Sequence, residues 1–314
     1  MFLNNIRKYK RGVMMVSEIY KISKKYGDKT VLNFFSLEIN EEDFVCLLGV
    51  DGSGKTTILN MIMDFIRPDT GNIKVFGHDS KRNGTKIKKY ISYVPTEPEF
   101  KPELKAKNLI NTALSSKELS YTENTERILR IFAIDSNRRI STMPMSVRKR
   151  LSLALAFITE PKFLILDEPF VGLDEEMQKR LLIYLNSIRG KTTVLMAEKD
   201  IERAEGLGNK IVYIHKGTLL KVTDKNTLIS SMVRKVRIKV AGDFTPILKF
   251  FNVDDFIEDE NYVSFLFKND INTLIEVLTN FDVLDLQISL PTLNEALVSI
   301  YDSERDKEGE VVKL

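Results

Sequence analysis

A glycine-rich loop between an apolar strand and an amphipathic helix is the feature that most restricts the fold of this chain. The loop reads G-V-D-G-S-G-K-T-T over Gly49–Thr57, and it directly follows the apolar run F-V-C-L-L at Phe44–Leu48. After the loop, apolar residues recur at the spacing of a helix, at Ile58, Met61, Ile62 and Phe65. Pro68 is expected to end that helix. This succession of strand, loop and helix is typical of α/β domains that bind phosphate groups.

The loop carries the chemical groups that a nucleotide phosphate site requires. Gly52 and Gly54 allow the backbone to curl, so that successive N–H groups point at phosphate oxygens. Lys55 offers a positive charge to the β- and γ-phosphates, and the Thr56 hydroxyl is a candidate magnesium ligand. The residues expected to contact a nucleotide here are Gly49, Asp51, Gly52, Ser53, Gly54, Lys55, Thr56 and Thr57. The alternative is a glycine-rich turn without a ligand, and the flanking elements argue against it.

A second apolar strand ends in two carboxylates. The run F-L-I-L-D-E-P spans 163–169, and strand geometry points Asp167 and Glu168 to opposite sides of the sheet edge. One carboxylate is then suited to the magnesium shell and the other to orienting a water molecule. The alternative is an acidic pair at the surface, which the upstream phosphate loop makes the weaker interpretation.

The composition suits a folded protein with one large and one small domain, or with two medium ones, because 43% of the 314 residues are hydrophobic and 29% are charged. A net charge of +3 is too small to indicate nucleic-acid binding. Basic runs at 7–11 and 234–239 are interpreted as solvated faces, with binding of anionic lipid or nucleic acid as the alternative. The single cysteine, Cys46, allows neither an internal disulfide nor a cysteine-based metal site.

The sequence offers no candidate for crossing a membrane. No apolar run approaches the roughly 18 residues that suggest a membrane span. The N-terminal residues also lack the apolar region of a secretory signal. We therefore expect any membrane role to depend on a partner protein.

Short apolar strands alternate with amphipathic helices from Ser17 to about Ser230, which predicts an α/β layer structure. The clearest strands are Phe44–Leu48, Ile91–Val94, Phe163–Leu166, Thr193–Met196 and Ile211–Ile214. Helical patterns replace the strands between Glu99 and Ile158, which predicts a helical insertion. A further helix is expected to begin after Asp174, which is its predicted N-cap.

A different pattern begins after Val233 and predicts a small α+β domain. Its expected elements are a strand at 236–240, a helix at 245–251, a hairpin at 255–268 around Glu260-Asn261, a helix at 271–281, a strand at 283–290 and a helix at 293–301. The predicted domains are a flexible basic tail at 1–14, a nucleotide-binding domain at 15–232, a small domain at 233–302 and a charged flexible tail at 303–314.

Three motifs together resemble those of the ATP-binding subunits of ABC transporters. They are the phosphate loop, L-I-L-D-E-P at 164–169 and V-G-L-D at 171–174, and their order and spacing match over about residues 17–230. The run K-K-Y-G-D-K-T-V-L at 24–32 is similar to the family's opening strand, and it places Tyr26 where an aromatic ring stacks on adenine. The run S-L-P-T-L-N-E-A-L at 289–297 resembles the accessory domain of single-cassette subunits, chiefly exporters.

The resemblance implies the fold of an α/β P-loop NTPase core with an antiparallel edge sheet, a helical subdomain at about 99–158 and a small C-terminal α+β domain. It implies ATP and Mg²⁺ as cofactors, held between two cassettes that face each other head to tail. Integral-membrane permease subunits are the implied partners, at the cytoplasmic face of the cell membrane, and no nucleic acid is expected. Lys55 and Glu168 are the implied catalytic residues, with Glu168 as general base or water-orienting group, and the implied metal contacts are Thr56, Asp167 and Thr96.

The chain departs from the family pattern at three places. The family's signature loop, usually L-S-G-G-Q, aligns with Met143–Val147, where Pro144 has no N–H to donate and Met145 adds bulk. A proline-containing first turn of a helix is therefore the preferred interpretation of S-T-M-P-M-S. Thr96 stands where the family has Gln or Glu, and its side chain is too short to reach the same point. A water molecule or Glu97 is expected to make that contact instead. Lys199 occupies the position of the family's switch histidine. It has either lost the function of that histidine or replaces it as a contact to the phosphate.

The function implied is the ATP-binding subunit of a membrane exporter, with slow hydrolysis. One alternative is a hydrolysis-deficient cassette that regulates or supports an active partner. Another is a relative that works on ribosomes or DNA, which usually needs two cassettes in one chain or a long coiled-coil insertion. A P-loop kinase is the third, and it does not explain the D-E-P and G-L-D runs together.

Overall fold

The structure is a computed structural model, and it describes residues 9–10, 13–224, 233–253, 256–259, 261–292 and 295. The chain groups into two compact units, which divide between Val222 and Thr223. Each unit has its own sheets and helices.

The strands are, in chain order, β1 (Tyr9–Lys10), β2 (Val13–Tyr26), β3 (Lys29–Asn40), β4 (Phe44–Leu48), β5 (Thr70–Val75), β6 (His78–Asp79), β7 (Ile91–Val94), β8 (Phe163–Asp167), β9 (Thr193–Glu198), β10 (Lys210–His215), β11 (Thr218–Asp224), β12 (Arg234–Val240), β13 (Phe256–Asp259), β14 (Tyr262–Phe267) and β15 (Val283–Ser289). The helices are α1 (Lys55–Ile62), α2 (Ser80–Lys88), α3 (Ala106–Ser116), α4 (Glu123–Ile131), α5 (Met145–Ile158), α6 (Glu175–Ile188), α7 (Ile201–Leu207), α8 (Thr245–Phe250) and α9 (Ile271–Leu278).

A six-stranded sheet forms the centre of the first unit, with its strands in the order β11–β10–β4–β9–β8–β7. The neighbours from β10 to β7 all pair in parallel. Every residue of β4, β8 and β9 is buried, and strands buried on both faces read as continuous apolar runs, which is why the sequence predicts them well. The carboxyl ends of these three strands meet at one sheet edge, where α/β proteins bind their ligands.

An antiparallel sheet lies beside the central one in the same unit. Its order is β1–β2–β5–β6, and β3 pairs with the other side of β2. The β2–β3 hairpin turns at Gly27, which has a φ of 57°, and Tyr26 faces Lys29 across the turn. This sheet is the predicted antiparallel edge.

The predicted helical subdomain contains α3, α4 and α5, together with a single 3-10 turn at Ile140–Thr142. It has a small apolar core formed by Ala106, Ile140, Met143, Val147 and Leu151. Two of the five positions aligned with the signature loop, Met143 and Val147, therefore serve the packing of this segment.

The predicted end of the first helix is wrong. Helix α1 ends at Ile62, because Asp64 adopts a left-handed conformation with a φ of 53° that a helix cannot continue through. Phe65 lies beyond the helix and is 55% exposed, with its ring centroid 5.7 Å from that of Tyr93. The predicted N-cap of α6 is confirmed, since Asp174 Oδ1 accepts the Met177 N–H at 2.8 Å.

The second unit contains a four-stranded antiparallel sheet in the order β13–β14–β12–β15. Helices α8 and α9 bury Ile247, Leu248, Leu274 and Leu278 in its core. The predicted elements from 236 to 290 are present, although α9 ends at Leu278 and not at Phe281. The helix predicted at 293–301 falls outside the described residues, except at Glu295.

Candidate functional site

The phosphate loop connects β4 to α1, as its sequence predicts. Gly54 is the N-cap of α1 with a φ of 105°, and a Cβ there would lie 2.7 Å from Leu32 Cδ2. A Cβ at Gly49 would lie 2.6 Å from the carbonyl oxygen of Ile214. Any larger residue would have to displace the Leu32 side chain at the first position and the Ile214 backbone at the second. Gly52, with a φ of 75°, is favoured by its backbone conformation alone.

The Lys55 side chain folds back over this loop. Its ammonium donates to the carbonyl oxygens of Gly49 at 2.6 Å and Val50 at 3.0 Å, and the residue is 4% exposed. Burial lowers the pKa of Lys55, and the nearby carboxylate of Glu168 opposes that shift. A buried ammonium at the start of a helix is a strong local source of positive charge for an anion.

Asp167 ends β8 in a buried position beside two hydroxyl groups. The Thr56 and Thr96 hydroxyls lie close enough to its carboxyl group to oppose the rise in its pKa that burial causes. Its Oδ1 has no hydrogen-bond partner among the described residues, and Asp167 is 1% exposed. Burial raises the pKa of Asp167. Oxygen donors of this kind are the ligands that Mg²⁺ prefers, so the buried oxygen atom without a partner fits a magnesium site.

Glu168 turns away from Asp167 toward the lysines. Its φ of 43° lies in the left-handed region, a strained conformation for a non-glycine residue that is often found at functional sites. Its Oε1 lies 3.8 Å from Lys55 Nζ and its Oε2 lies 3.0 Å from Lys199 Nζ. The two neighbouring carboxylates therefore contact different groups, but strand alternation is not the reason, because β8 ends at Asp167 and Glu168 has left the strand conformation.

Lys199 follows β9 and bridges two acidic side chains. Besides Glu168, its ammonium contacts Asp51 Oδ1 of the phosphate loop at 2.5 Å. The hydrogen bond from Lys199 lowers the pKa of Asp51, and the same contact raises the pKa of Lys199. Lys199 is thus a charged group at the carboxyl ends of the central strands, beside the residue expected to act as base.

The residues aligned with the signature loop form the start of α5. Pro144 is predicted to lie in the first turn of this helix, but it is the N-cap and precedes the first helical residue by one position. Its carbonyl oxygen accepts the N–H groups of Val147 and Arg148 at 3.1 and 3.0 Å. Met145 is exposed and Ser146 is partly exposed. Only the middle three positions, 144–146, are therefore open to a partner molecule.

The open cleft over the phosphate loop has a volume of about 170 Å³, and its lining residues are Lys29, Val31, Asp51, Gly52, Ser53, Gly54, Lys55, Thr56, Thr57 and Glu168. Sequence reasoning missed Lys29 and Val31, which the β2–β3 hairpin brings to the loop. It also gave no attention to Lys149, a buried residue near the start of α5 whose ammonium lies 2.9 Å from the Thr96 carbonyl oxygen. Tyr26 is exposed at the hairpin turn next to Lys29, and Glu97 is exposed.

The fold and this loop define a P-loop NTPase. The family model described as ABC transporter matches residues 32–171. The Nod factor export ATP-binding protein I of Rhizobium etli is 30% identical over 243 residues, which cover 75% of this chain and 77% of that protein. The Spermidine/putrescine import ATP-binding protein PotA of Clostridium acetobutylicum is 31% identical over 212 residues, which cover 65% of this chain and 60% of that protein.

Solved structures agree on the fold. A structure of an ATP-binding subunit of an ABC transporter superposes with a TM-score of 0.62 at 24% identity, covering 67% of this chain and 90% of its own. A dimeric ATP-binding cassette in a post-hydrolysis state, bound to ADP and Pi, superposes with a TM-score of 0.60 at 22% identity, covering 67% of this chain and 98% of its own. The chain belongs to the family of ABC transporter ATP-binding proteins, which are P-loop ATPases.

No helix in the described part of the chain has both the length and the apolar character needed to cross a bilayer.

Replacing Asp167 with Asn should stabilise the folded protein. The substitution removes a buried charge and offers an amide that can donate to the Thr56 or Thr96 hydroxyls, so we expect a gain of about 1 kcal/mol in the free energy of unfolding at pH 7. Because the pKa of Asp167 is raised on folding, the wild-type protein should lose this part of its stability as the pH rises above about 4 toward the raised pKa. Urea unfolding without added nucleotide or metal measures both effects.

Asp174→Asn is the matched control, since asparagine also caps a helix and the free energy of unfolding should stay within about 0.5 kcal/mol of wild type. A clear loss of stability in Asp167→Asn would contradict the assignment of Asp167 as a desolvated carboxylate.

Proposed function

We propose that this chain binds ATP and Mg²⁺ at the phosphate loop and hydrolyses ATP slowly as the ATP-binding subunit of a membrane exporter. The observation that carries the proposal is the convergence of Lys55, Thr56, Asp167 and Glu168 at one edge of the central sheet. The glycine N–H groups and Lys55 bind the phosphates, with Asp51, Ser53 and Thr57 on the same loop. Tyr26 stacks on the adenine ring.

Thr56, Asp167 and Thr96 hold the magnesium ion. When bound, the ion would supply charge neutralisation for the transfer of the γ-phosphoryl group to water, with ADP as the leaving group. Thr96 is suited to this role despite its short side chain, because it lies next to the Asp167 carboxyl group. Glu97 is exposed to solvent, and it is the alternative to a water molecule as compensation for the short Thr96 side chain.

Glu168 is the general base or the water-orienting group for attack on the γ-phosphate. Lys199 contacts Glu168 at 3.0 Å and Asp51 at 2.5 Å, so it competes for the carboxylate that must accept a proton. A lysine at this place binds a γ-phosphate as a compact cation and has no acceptor to orient water. Slow hydrolysis follows from this arrangement, from the missing N–H of Pro144 and from the bulk of Met145.

Two partners are proposed from the family. One is a second cassette, identical or related, in a head-to-tail dimer, since similar cassettes have been solved as dimers. The other is an integral-membrane permease, which would hold the chain peripherally at the cytoplasmic face of the cell membrane. The direction of export is proposed from the resemblance of 289–297 to the accessory domain of exporter subunits. The relatives include an export protein and an import protein at nearly equal identity, 30% and 31%.

Co-purification tests the partners. We expect the chain to fractionate with membranes only when a permease partner is co-expressed. After the membranes are solubilised in detergent, the chain should purify as a complex with that partner. Binding of the purified chain to pure anionic vesicles that disappears at high salt would contradict this and assign the membrane contact to basic residues. Transport assays in vesicles with the purified complex then separate export from import.

The second candidate function is a cassette that binds ATP and closes against an active partner but does not hydrolyse it. The ion pair between Lys199 and Glu168 favours this candidate, whereas the retained Asp167 and Glu168 favour residual hydrolysis. A complex that contains a second, different cassette with an intact signature loop would support it.

A further inference from the structure

A lysine of helix α5 is buried directly behind the candidate magnesium site. Lys149 lies in α5 and is 1% exposed. Its ammonium lies within hydrogen-bonding distance of four backbone carbonyl oxygens, which share its three N–H groups: those of Pro95 at 2.8 Å, Thr96 at 2.9 Å, Glu168 at 3.2 Å and Asp167 at 3.4 Å. A buried lysine is rare unless its charge is compensated, and here four carbonyl dipoles surround it.

These four carbonyls belong to two separate chain segments. Pro95 and Thr96 form the loop that follows β7, and Asp167 and Glu168 end β8 and begin the next turn. Lys149 therefore ties α5 of the helical subdomain to both segments at once. Two of the four residues, Thr96 and Asp167, also supply side-chain oxygens at the candidate magnesium site.

We propose that Lys149 is a positioning residue for the magnesium site, which holds the backbones of Thr96 and Asp167 so that their side chains converge on the metal, and which links that convergence to the placement of α5. The inference rests on the proposed binding of Mg-ATP. A backbone carbonyl fixed from behind fixes the plane of its peptide, and with it the direction of the side chain on the same residue.

The chemistry of lysine suits this position. An ammonium has three N–H donors and no acceptor, so it can serve several carbonyls without presenting a lone pair to them. Burial lowers the pKa of Lys149 to about 8, and the carboxylates of Asp167, Glu168, Glu198 and Glu97 oppose that shift. Groups that orient metal ligands from outside the coordination shell typically change metal affinity by about 10- to 100-fold.

The chain offers a matched control at the other end of β7. Lys117 follows α3, and its ammonium donates to the carbonyl groups of Lys88 and Ile91. Burial lowers its pKa to about 8 as well. Lys117 thus ties the helical subdomain to the start of β7 in the same chemical manner, but its partners supply no side chain to the magnesium site.

The test compares Lys149→Met with Lys117→Met in the full-length chain. The affinity for a non-hydrolysable ATP analogue is titrated twice, once in EDTA and once with excess Mg²⁺, and the thermal unfolding of each variant is recorded. We expect Lys149→Met to bind the analogue like the wild type in EDTA. The factor by which Mg²⁺ raises the affinity should be about tenfold smaller in this variant than in the wild type. Lys117→Met should keep both affinities, although it loses comparable thermal stability. Lys149→Gln, which retains two N–H donors, should recover part of the gain.

An undiminished Mg²⁺ gain in Lys149→Met would overturn the inference, and so would an equal loss in Lys117→Met or a wild-type protein in which Mg²⁺ adds no affinity. If Lys149→Met does not fold, Lys149→Gln decides the question by the same comparison with Lys117→Met. A wild-type protein that binds no analogue under either condition would instead contradict the proposed function itself.

Discussion

Replacing Lys55 with Ala should weaken ATP binding by about 100-fold. The Lys55 ammonium is the buried cation of the phosphate loop, 4% exposed and held by the carbonyl groups of Gly49 and Val50. Truncating one partner of a buried, charge-assisted contact typically costs about 2–5 kcal/mol, and about 3 kcal/mol corresponds to the expected factor. Calorimetric titration of the purified chain with Mg-ATP measures the change.

Lys29→Ala is the control for this experiment. Lys29 lines the same cleft from the β2–β3 hairpin, but it is exposed to solvent and screened by salt, so its removal should cost less than tenfold in affinity. Equal losses in the two variants would indicate a general electrostatic attraction, and an unchanged affinity in Lys55→Ala would remove the basis for the ATP site.

The central strands could be predicted because burial on both faces imposes continuous apolar runs. Phe44–Leu48 is predicted with the bounds that the structure has, and Phe163–Leu166 falls one residue short of the end of β8. The end of α1 could not be predicted in this way, because the apolar spacing continues to Phe65 while the backbone already leaves the helix at Asp64. Periodicity reports which residues are apolar, and it does not report where a left-handed residue stops a helix.

The candidate site shows the same division. The phosphate loop and the two carboxylates are contiguous motifs, so their meeting at one sheet edge follows from the order of the parallel strands. Lys149 has partners 18 to 54 residues away along the chain, and its sequence neighbourhood, V-R-K-R, reads as a solvated basic turn. The burial of that one lysine depends on how α5 packs, which no local pattern records.

ATP turnover by the assembled complex should be slow, whichever cassette lies opposite. Lys199 and Thr96 are aligned with two positions that are expected to orient the γ-phosphate and its water, and Pro144 and Met145 are aligned with two residues of the signature loop. Loss of one preorganised donor to a transition state costs roughly 3–4 kcal/mol, or about a hundred- to a thousand-fold in rate. Because Glu168 is retained, we expect a low rate that Glu168→Gln lowers further. Steady-state phosphate release by the purified complex measures it.

A restored variant makes the expectation specific. Met143 and Val147 pack into the core of the helical subdomain, so the substitutions are confined to the accessible positions, Pro144→Ser, Met145→Gly and Ser146→Gly, together with Lys199→His. Substituting the two buried positions as well would confuse a catalytic gain with a loss of folding. We expect the four substitutions to raise the rate at least tenfold, and Glu168→Gln to cancel the gain. If the unmodified complex already releases several phosphates per second and the restored variant adds nothing, the alignment of 143–147 with the signature loop is wrong.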